Sequence, residues 1–216
     1  MFAAIISFTV CVGIPLTGAV YFLHRRDGTF FTFLTGVLCF YISQPLIRMP
    51  LLNLMGLKFE WMAFLPYTNI FLYFLFMGFT AGFFEESARY IGLKLFRKGR
   101  TSWADGIACG LGHGGCEAAW LFFTQVLPLA LQGNAGFGVL LGAWERIFTM
   151  LIQIGLSLIV IYAIKKHKIQ WLILAILLHT VIDFLIVLGN IWILEGLITL
   201  EGLVALLLIV KWKKNF

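Results

Sequence analysis

The residues able to do chemistry in this 216-residue chain sit inside its apolar stretches. Glu85, Glu86 and Arg89 form Glu-Glu-x-x-Arg at the end of one stretch. His113 with Glu117 and His179 with Asp183 follow on later stretches, each pair four residues apart, and Glu145 adjoins Arg146 on another. An ionisable group in hydrocarbon costs roughly 3 kcal/mol by insertion scales, so its default reading is functional. Three such groups on separate segments imply that the segments converge on one polar centre.

Hydrolysis at such a centre needs a water, a base to activate it and donors for the oxyanion. Two adjacent carboxylates resist ionising together, which favours one as acid and one as base. Arg89 stands at i+4 from Glu85 and i+3 from Glu86, so it can hold one of the pair ionised. His113 suits orienting the water and His179 suits donating to the oxyanion. Equally, Glu85, His113 and His179 could ligate Zn²⁺ and leave a position open for water. The residue types admit both modes. Glu145 and Arg146 read as support, with Arg146 neutralising a carboxylate on another helix such as Glu117 or Asp183.

Several other chemistries lack their parts. No His-Glu-x-x-His is present, which removes the zincin arrangement. There is no Gly-x-Ser-Gly for a serine nucleophile and no Tyr-Asp with Gly-x-Gly-Asp for an aspartyl pair. No lysine lies between Gln170 and Val210 to form a retinal Schiff base. Cys11, Cys39, Cys109 and Cys116 all fall in apolar spans, where they behave as small hydrophobes rather than as a disulfide framework or metal site.

The elements that must position these groups follow from composition. With 61% hydrophobic residues, 12% charged and mean hydropathy +0.97, the chain is excluded from the soluble globular class. Hydropathy predicts an all-α polytopic bundle of about seven spans, forming a single membrane domain over 1–216 with its motifs in about 66–188. The spans are expected near Phe2 to Phe22, Phe30 to Ile47, Phe64 to Phe84 (continuing to Phe96), Trp103 to Leu127, Phe137 to Ile164, Gln170 to Leu188 and Ile191 to Val210. The first run lacks a basic leader and cleavage site, so it reads as a retained anchor. Basic residues gather in alternate loops, at Arg25 and Arg26, Lys94 to Arg100, Lys165 to Lys168 and Lys211 to Lys214. By the positive-inside rule the N-terminus lies outside and the C-terminus in the cytoplasm. The net charge of +6 is thus a topology signal, not a nucleic-acid surface.

Helical rise then places Glu85, His113 and His179 about 13, 15 and 16 Å from the basic edge, close to one level. The expectation is a water-accessible cavity opening toward the cytoplasmic half. Gly106, Gly110, Gly112, Gly114 and Gly115 crowd the span around His113. Close helix packing is one reading of these glycines, and a bare surface for a substrate's extended backbone is the other.

Taken in order, Glu-Glu-x-x-Arg, Gly-His-Gly-Gly-x-Glu (112–117), Glu-Arg and His-x-x-x-Asp resemble the YhfC family of bacterial membrane proteins. That family is grouped with PrsW-type and CAAX-processing (CPBP) intramembrane proteases. The resemblance covers about Phe84 to Phe184. It implies Glu85 as general base on water, Glu86 and Arg89 shaping its ionisation, His113 assisting, and His179 with Asp183 at the oxyanion. CAAX-type members place the arginine one residue later, and many carry asparagine where Asp183 stands. Aspartate donates a hydrogen bond only when protonated, so Asp183 suits holding the His179 tautomer instead.

The reading is therefore an intramembrane endopeptidase, glutamic or metal-dependent with Zn²⁺, in a bacterial cytoplasmic membrane. Its partners are the lipid bilayer and a membrane-embedded peptide or protein substrate. A proton-coupled carrier and a non-catalytic sensor or immunity partner are the rivals. The carrier is disfavoured by the absence of an internal repeat.

Overall fold

The computed structural model describes residues 1–216 as helices joined by short turns, with no strand. Seven helices are long and apolar enough to cross a membrane. They are α1 (Phe2–Arg25), α2 (Thr29–Lys58), α4 (Ile70–Phe96), α5 (Trp103–Leu131), α6 (Phe137–Lys166), α7 (Gln170–Leu188) and α8 (Ile191–Asn215). The short helix α3 (Glu60–Thr68) lies between the second and third spans. The second span runs on to Lys58 rather than stopping at Ile47, and the third begins at Ile70 rather than Phe64. The break is local chemistry: Asn69 leaves helical geometry and its side chain accepts the Leu72 N–H at 3.0 Å, starting α4 afresh.

Three helices widen to π geometry, at Thr9–Gly13, Ile42–Arg48 and Phe122–Val126. Each stretch contains or closely precedes a proline: Pro15, Pro45 or Pro128. Proline has no N–H to donate and crowds the preceding turn, so the helix relaxes around it. The stretch in α2 carries Gln44 and Arg48, and both turn inward.

α6 is the axis of the bundle. Two-thirds (67%) of its apolar window is buried, against 22% for the comparably apolar α7. α5, α7 and α8 all pack on it, and α4 bridges α2 and α7. The glycines of α5 make this possible. A methyl group at Gly110 would lie 2.3 Å from the Ile154 Cα, and one at Gly112 would lie 2.1 Å from the Phe33 carbonyl oxygen. Gly115 is closed in the same way by Pro15. These positions hold helices at backbone contact, so the alternative reading, a bare surface for substrate, is not what the structure has.

The basic loops meet at one end of the bundle. There Arg97 donates to the Gly28 carbonyl at 2.8 Å, and Lys165 reaches the Phe216 backbone oxygen at 2.9 Å. At that end Tyr162, Trp171, Trp212 and Phe216 close over α6, α7 and α8, with ring centroids 5.0–6.1 Å apart.

Candidate functional site

The Glu85, Glu86, Arg89, His113 and His179 side chains meet inside the bundle, and none is more than 4% exposed. Glu85 is the hub. Its Oε2 accepts from His113 Nε2 at 2.7 Å and faces His179 Nε2 at 3.7 Å. Its Oε1 accepts from Gln44 Nε2 at 2.5 Å. Glu86 lies one residue on and points into a different set of partners. Arg89 Nη1 bonds both of its oxygens, at 3.0 and 2.9 Å, and His179 Nδ1 donates to Oε1 at 2.8 Å. Arg89 comes only to 4.0 Å of Glu85. The arginine therefore neutralises Glu86, while the hydrogen bonds to Glu85 come from neutral amides and an imidazole.

Three polar residues that the sequence analysis does not single out, Gln153, Gln44 and Arg48, complete this arrangement. Gln153 of α6 accepts from Arg89 Nη2 at 2.5 Å and donates to Glu117 at 3.0 Å and to Glu85 at 3.4 Å. Gln44 is fixed by Arg48, which donates to its Oε1 at 2.9 Å and is itself tied to the Met77 carbonyl and the Thr80 hydroxyl. The same bond fixes which end of the Gln44 amide faces Glu85: Oε1 takes the arginine, so the NH₂ group donates. The polar centre thus extends beyond the 66–188 core expected from the motifs. The available signal was a glutamine well inside an apolar span, Gln44 between Ser43 and Pro45 in α2 and Gln153 between Ile152 and Ile154 in α6.

The remaining motif residues divide. Glu117 and Glu145 share Arg146, which bonds Glu117 Oε1 at 2.7 Å and also pairs with its own neighbour Glu145. Asp183 stands 3.8 Å from His179 Nε2, outside hydrogen-bond range, and its side chain is 36% exposed. It does not hold the His179 tautomer; Glu86 does, through Nδ1, and the Nε2 of His179 is left pointing at Glu85 and Asp183.

A cavity of about 340 Å³ opens from this point, with Glu85, His179 and Asp183 along its polar side. It runs toward Arg146 and Leu194, away from the basic end. The expected opening toward the basic, cytoplasmic half is therefore reversed. The aromatic cluster of Tyr162, Trp171, Trp212 and Phe216 fills the space on that side.

The donor chemistry around the cavity suits Zn²⁺. His179 carries a carboxylate on its Nδ1, as metal-binding imidazoles commonly do, and its Nε2 makes no hydrogen bond. His113 Nδ1 is likewise buried without a partner. As the side chains stand, however, no three His, Cys, Asp or Glu groups converge at coordination distance.

Seven apolar helices around an enclosed carboxylate–histidine–arginine centre define a polytopic membrane protein with a polar site built into its bundle. The chain belongs to the YhfC family, described as YhfC intramembrane metalloprotease, which it matches over residues 8–134 and 123–208. It is also similar to the "Uncharacterized membrane protein YhfC" of Bacillus subtilis (strain 168), with 28% identity over 247 residues, 98% of this chain and 95% of that protein. No solved structure matches it.

Proposed function

We propose that this protein is an intramembrane endopeptidase of the bacterial cytoplasmic membrane, hydrolysing a peptide bond of a membrane-associated protein. The observation that carries the reading is Glu85. It is the one carboxylate of the centre that is buried, oriented by His113 and Gln44, and left with an oxygen on the cavity beside an imidazole nitrogen without a hydrogen bond.

A water in the cavity beside Glu85 Oε2 gives up its proton to that oxygen as its own oxygen attacks the peptide carbonyl. His113, donating to the same oxygen, fixes its orientation. His179 acts here as an imidazolium, its Nδ1–H held by Glu86 and its Nε2–H donating to the oxyanion. Its bond to Glu86 keeps the ring aimed as charge develops. Asp183, at the cavity edge, faces that nitrogen through space rather than through a hydrogen bond. Collapse of the tetrahedral species breaks the C–N bond, and the proton on Glu85 passes to the leaving amine. Glu85, His113 and His179 are the residues that would hold Zn²⁺, and the ion would supply Lewis acidity for water activation near neutral pH.

The test is cleavage of a panel of single-span peptides by purified protein in liposomes. Glu85→Gln keeps shape and polarity but takes no proton, so turnover should fall by at least about a hundredfold with the fold intact. Full activity in that variant sinks the reading. Stoichiometric zinc, with activity lost to chelator and restored by metal, identifies the metal-dependent form; indifference to both treatments identifies the glutamic form.

A further inference from the structure

The cavity has two kinds of wall. Glu117, Glu145, Arg146 and Asp183 form a polar side, whereas Ile182 and Ile186 of α7 with Leu194 and Ile198 of α8 form an apolar one. α7 and α8 both pack on α6, yet they scarcely touch each other beyond the turn that joins them and the Trp171–Trp212 ring contact at the basic end. That turn is a single 3₁₀ stretch, Leu185–Leu188, ended by Gly189 at φ +64°. At the cavity end only this turn ties the two helices together, and Ile186 is half exposed near its start. The apolar wall is therefore the edge of a slit that leads from the bundle surface to His179 and Glu85.

Resting on the protease reading for its chemistry, we infer that the slit between α7 and α8 is the lateral portal through which an apolar, membrane-spanning peptide segment reaches Glu85. The occupant follows from the two walls. A peptide drawn out of its helix in hydrocarbon has bare N–H and C=O groups that need partners. The polar side supplies them, while Ile182, Ile186, Leu194 and Ile198 carry the apolar side chains. A lipid acyl chain would satisfy the isoleucines but leave Asp183 and the His179 Nε2 against hydrocarbon, at the cost of an unpaired buried polar group. A polar peptide would reverse the mismatch.

A separate apolar groove on the bundle supplies the control. It lies between α2 and α4, about 580 Å³, is lined by Leu34, Leu38 and Ile91, and shares no lining residue with the cavity of Glu85. The experiment places the photo-crosslinker p-benzoylphenylalanine at Ile186 or Leu194, and in parallel at Leu34 or Ile91. Each is made in the Glu85→Gln background so that no peptide is consumed. The proteins are reconstituted in phosphatidylglycerol–phosphatidylcholine vesicles with a fluorescent single-span peptide from the cleavage panel. Capture at Ile186 and Leu194 should exceed capture at the control groove by at least about tenfold. Equal capture at both grooves, or lipid adducts alone at Ile186 and Leu194, overturns the portal. Because capture needs no turnover, the two readings fail separately. Cleavage without capture at the slit rejects the portal and keeps the protease, and capture without cleavage does the reverse.

Discussion

At the basic end of the bundle, Asp105 is surrounded by donors. Thr32 Oγ1 lies at 2.9 Å, Arg100 Nε at 3.2 Å, and the Ser102 hydroxyl and N–H at 2.5 and 3.2 Å. Asp105 is 1% exposed. At the level of the polar centre, Glu85 is almost as deeply buried and has comparable donors in His113 and Gln44. Both oxygens of Asp105 are consumed by a capping box, by Thr32 of α2 and by Arg100, whereas Glu85 lines a cavity with its Oε2 3.7 Å from an imidazole nitrogen. Burial and hydrogen bonding of a charge therefore do not single out a candidate reactive site; a carboxylate that also lines a cavity is the better candidate.

The sharpest way to break this contrast is within the centre, between Glu85 and Glu86. If Glu86 and Arg89 are a framework, Arg89→Leu strands a carboxylate in the bundle, held only by His179. Removing one member of a buried pair costs about 3–5 kcal/mol. Folded yield and thermal stability in detergent should collapse, while Glu85→Gln leaves them unchanged. A well-folded, stable Arg89→Leu protein would mean that the ion pair is not what fixes His179.

Gln44 tests the other half of the contrast, because its amide aims Glu85 without touching substrate. Gln44→Leu should lower turnover by about tenfold, equivalent to about 1.4 kcal/mol, with substrate KM preserved. Gln44→Asn should not rescue, since its amide is one methylene too short. An unchanged kcat reassigns Gln44 to packing between α2 and α4. At the saturated carboxylate the expectation is inverted. Asp105→Asn should lower stability by about 1 kcal/mol, because an NH₂ group replaces one acceptor oxygen among buried donors, and leave turnover per folded molecule as it was.

These same residues show what the amino-acid sequence made legible. Glu85, His113 and His179 stood out because an ionisable group in hydrocarbon is too costly to be incidental, and their depths agreed because helical rise is regular. Gln44 and Gln153 escaped for the complementary reason: a neutral amide raises no such alarm, although here both touch Glu85. Which helix is central was equally hidden, since lipid and protein interior are both apolar and α6 and α7 read alike by hydropathy while differing threefold in burial. The direction of the cavity depended on Tyr162, Trp171, Trp212 and Phe216 stacking from three different helices, a tertiary fact with no local signature. Orientation in the bilayer rests on the basic loops alone. Reporter fusions after Arg26, Arg100 and Lys168 should all read cytoplasm.

The smallest expected effect belongs to a carboxylate outside the bilayer, which extends the contrast to a fully wet setting. Asp27 sits in the turn from α1 to α2, where it accepts from the Thr29 hydroxyl at 2.6 Å, from the Thr29 N–H at 3.0 Å and from Arg25 Nε at 2.9 Å. The Thr29 bonds chiefly, with Arg25 assisting, draw its pKa below the ordinary carboxylate value to about 2. A carboxyl whose folded pKa lies below its unfolded one adds stability above the unfolded value near 4, and that stability disappears as pH falls through the folded value. The thermal stability of the wild type should therefore exceed that of Asp27→Asn at neutral pH and converge with it between about pH 4 and pH 2. The side chain is 37% exposed, so solvent and salt screen these bonds and the gap at neutral pH should be small and shrink further in high salt. A gap that stays constant into acid, or widens there, would show that the turn is held by the shape of the side chain and not by its charge.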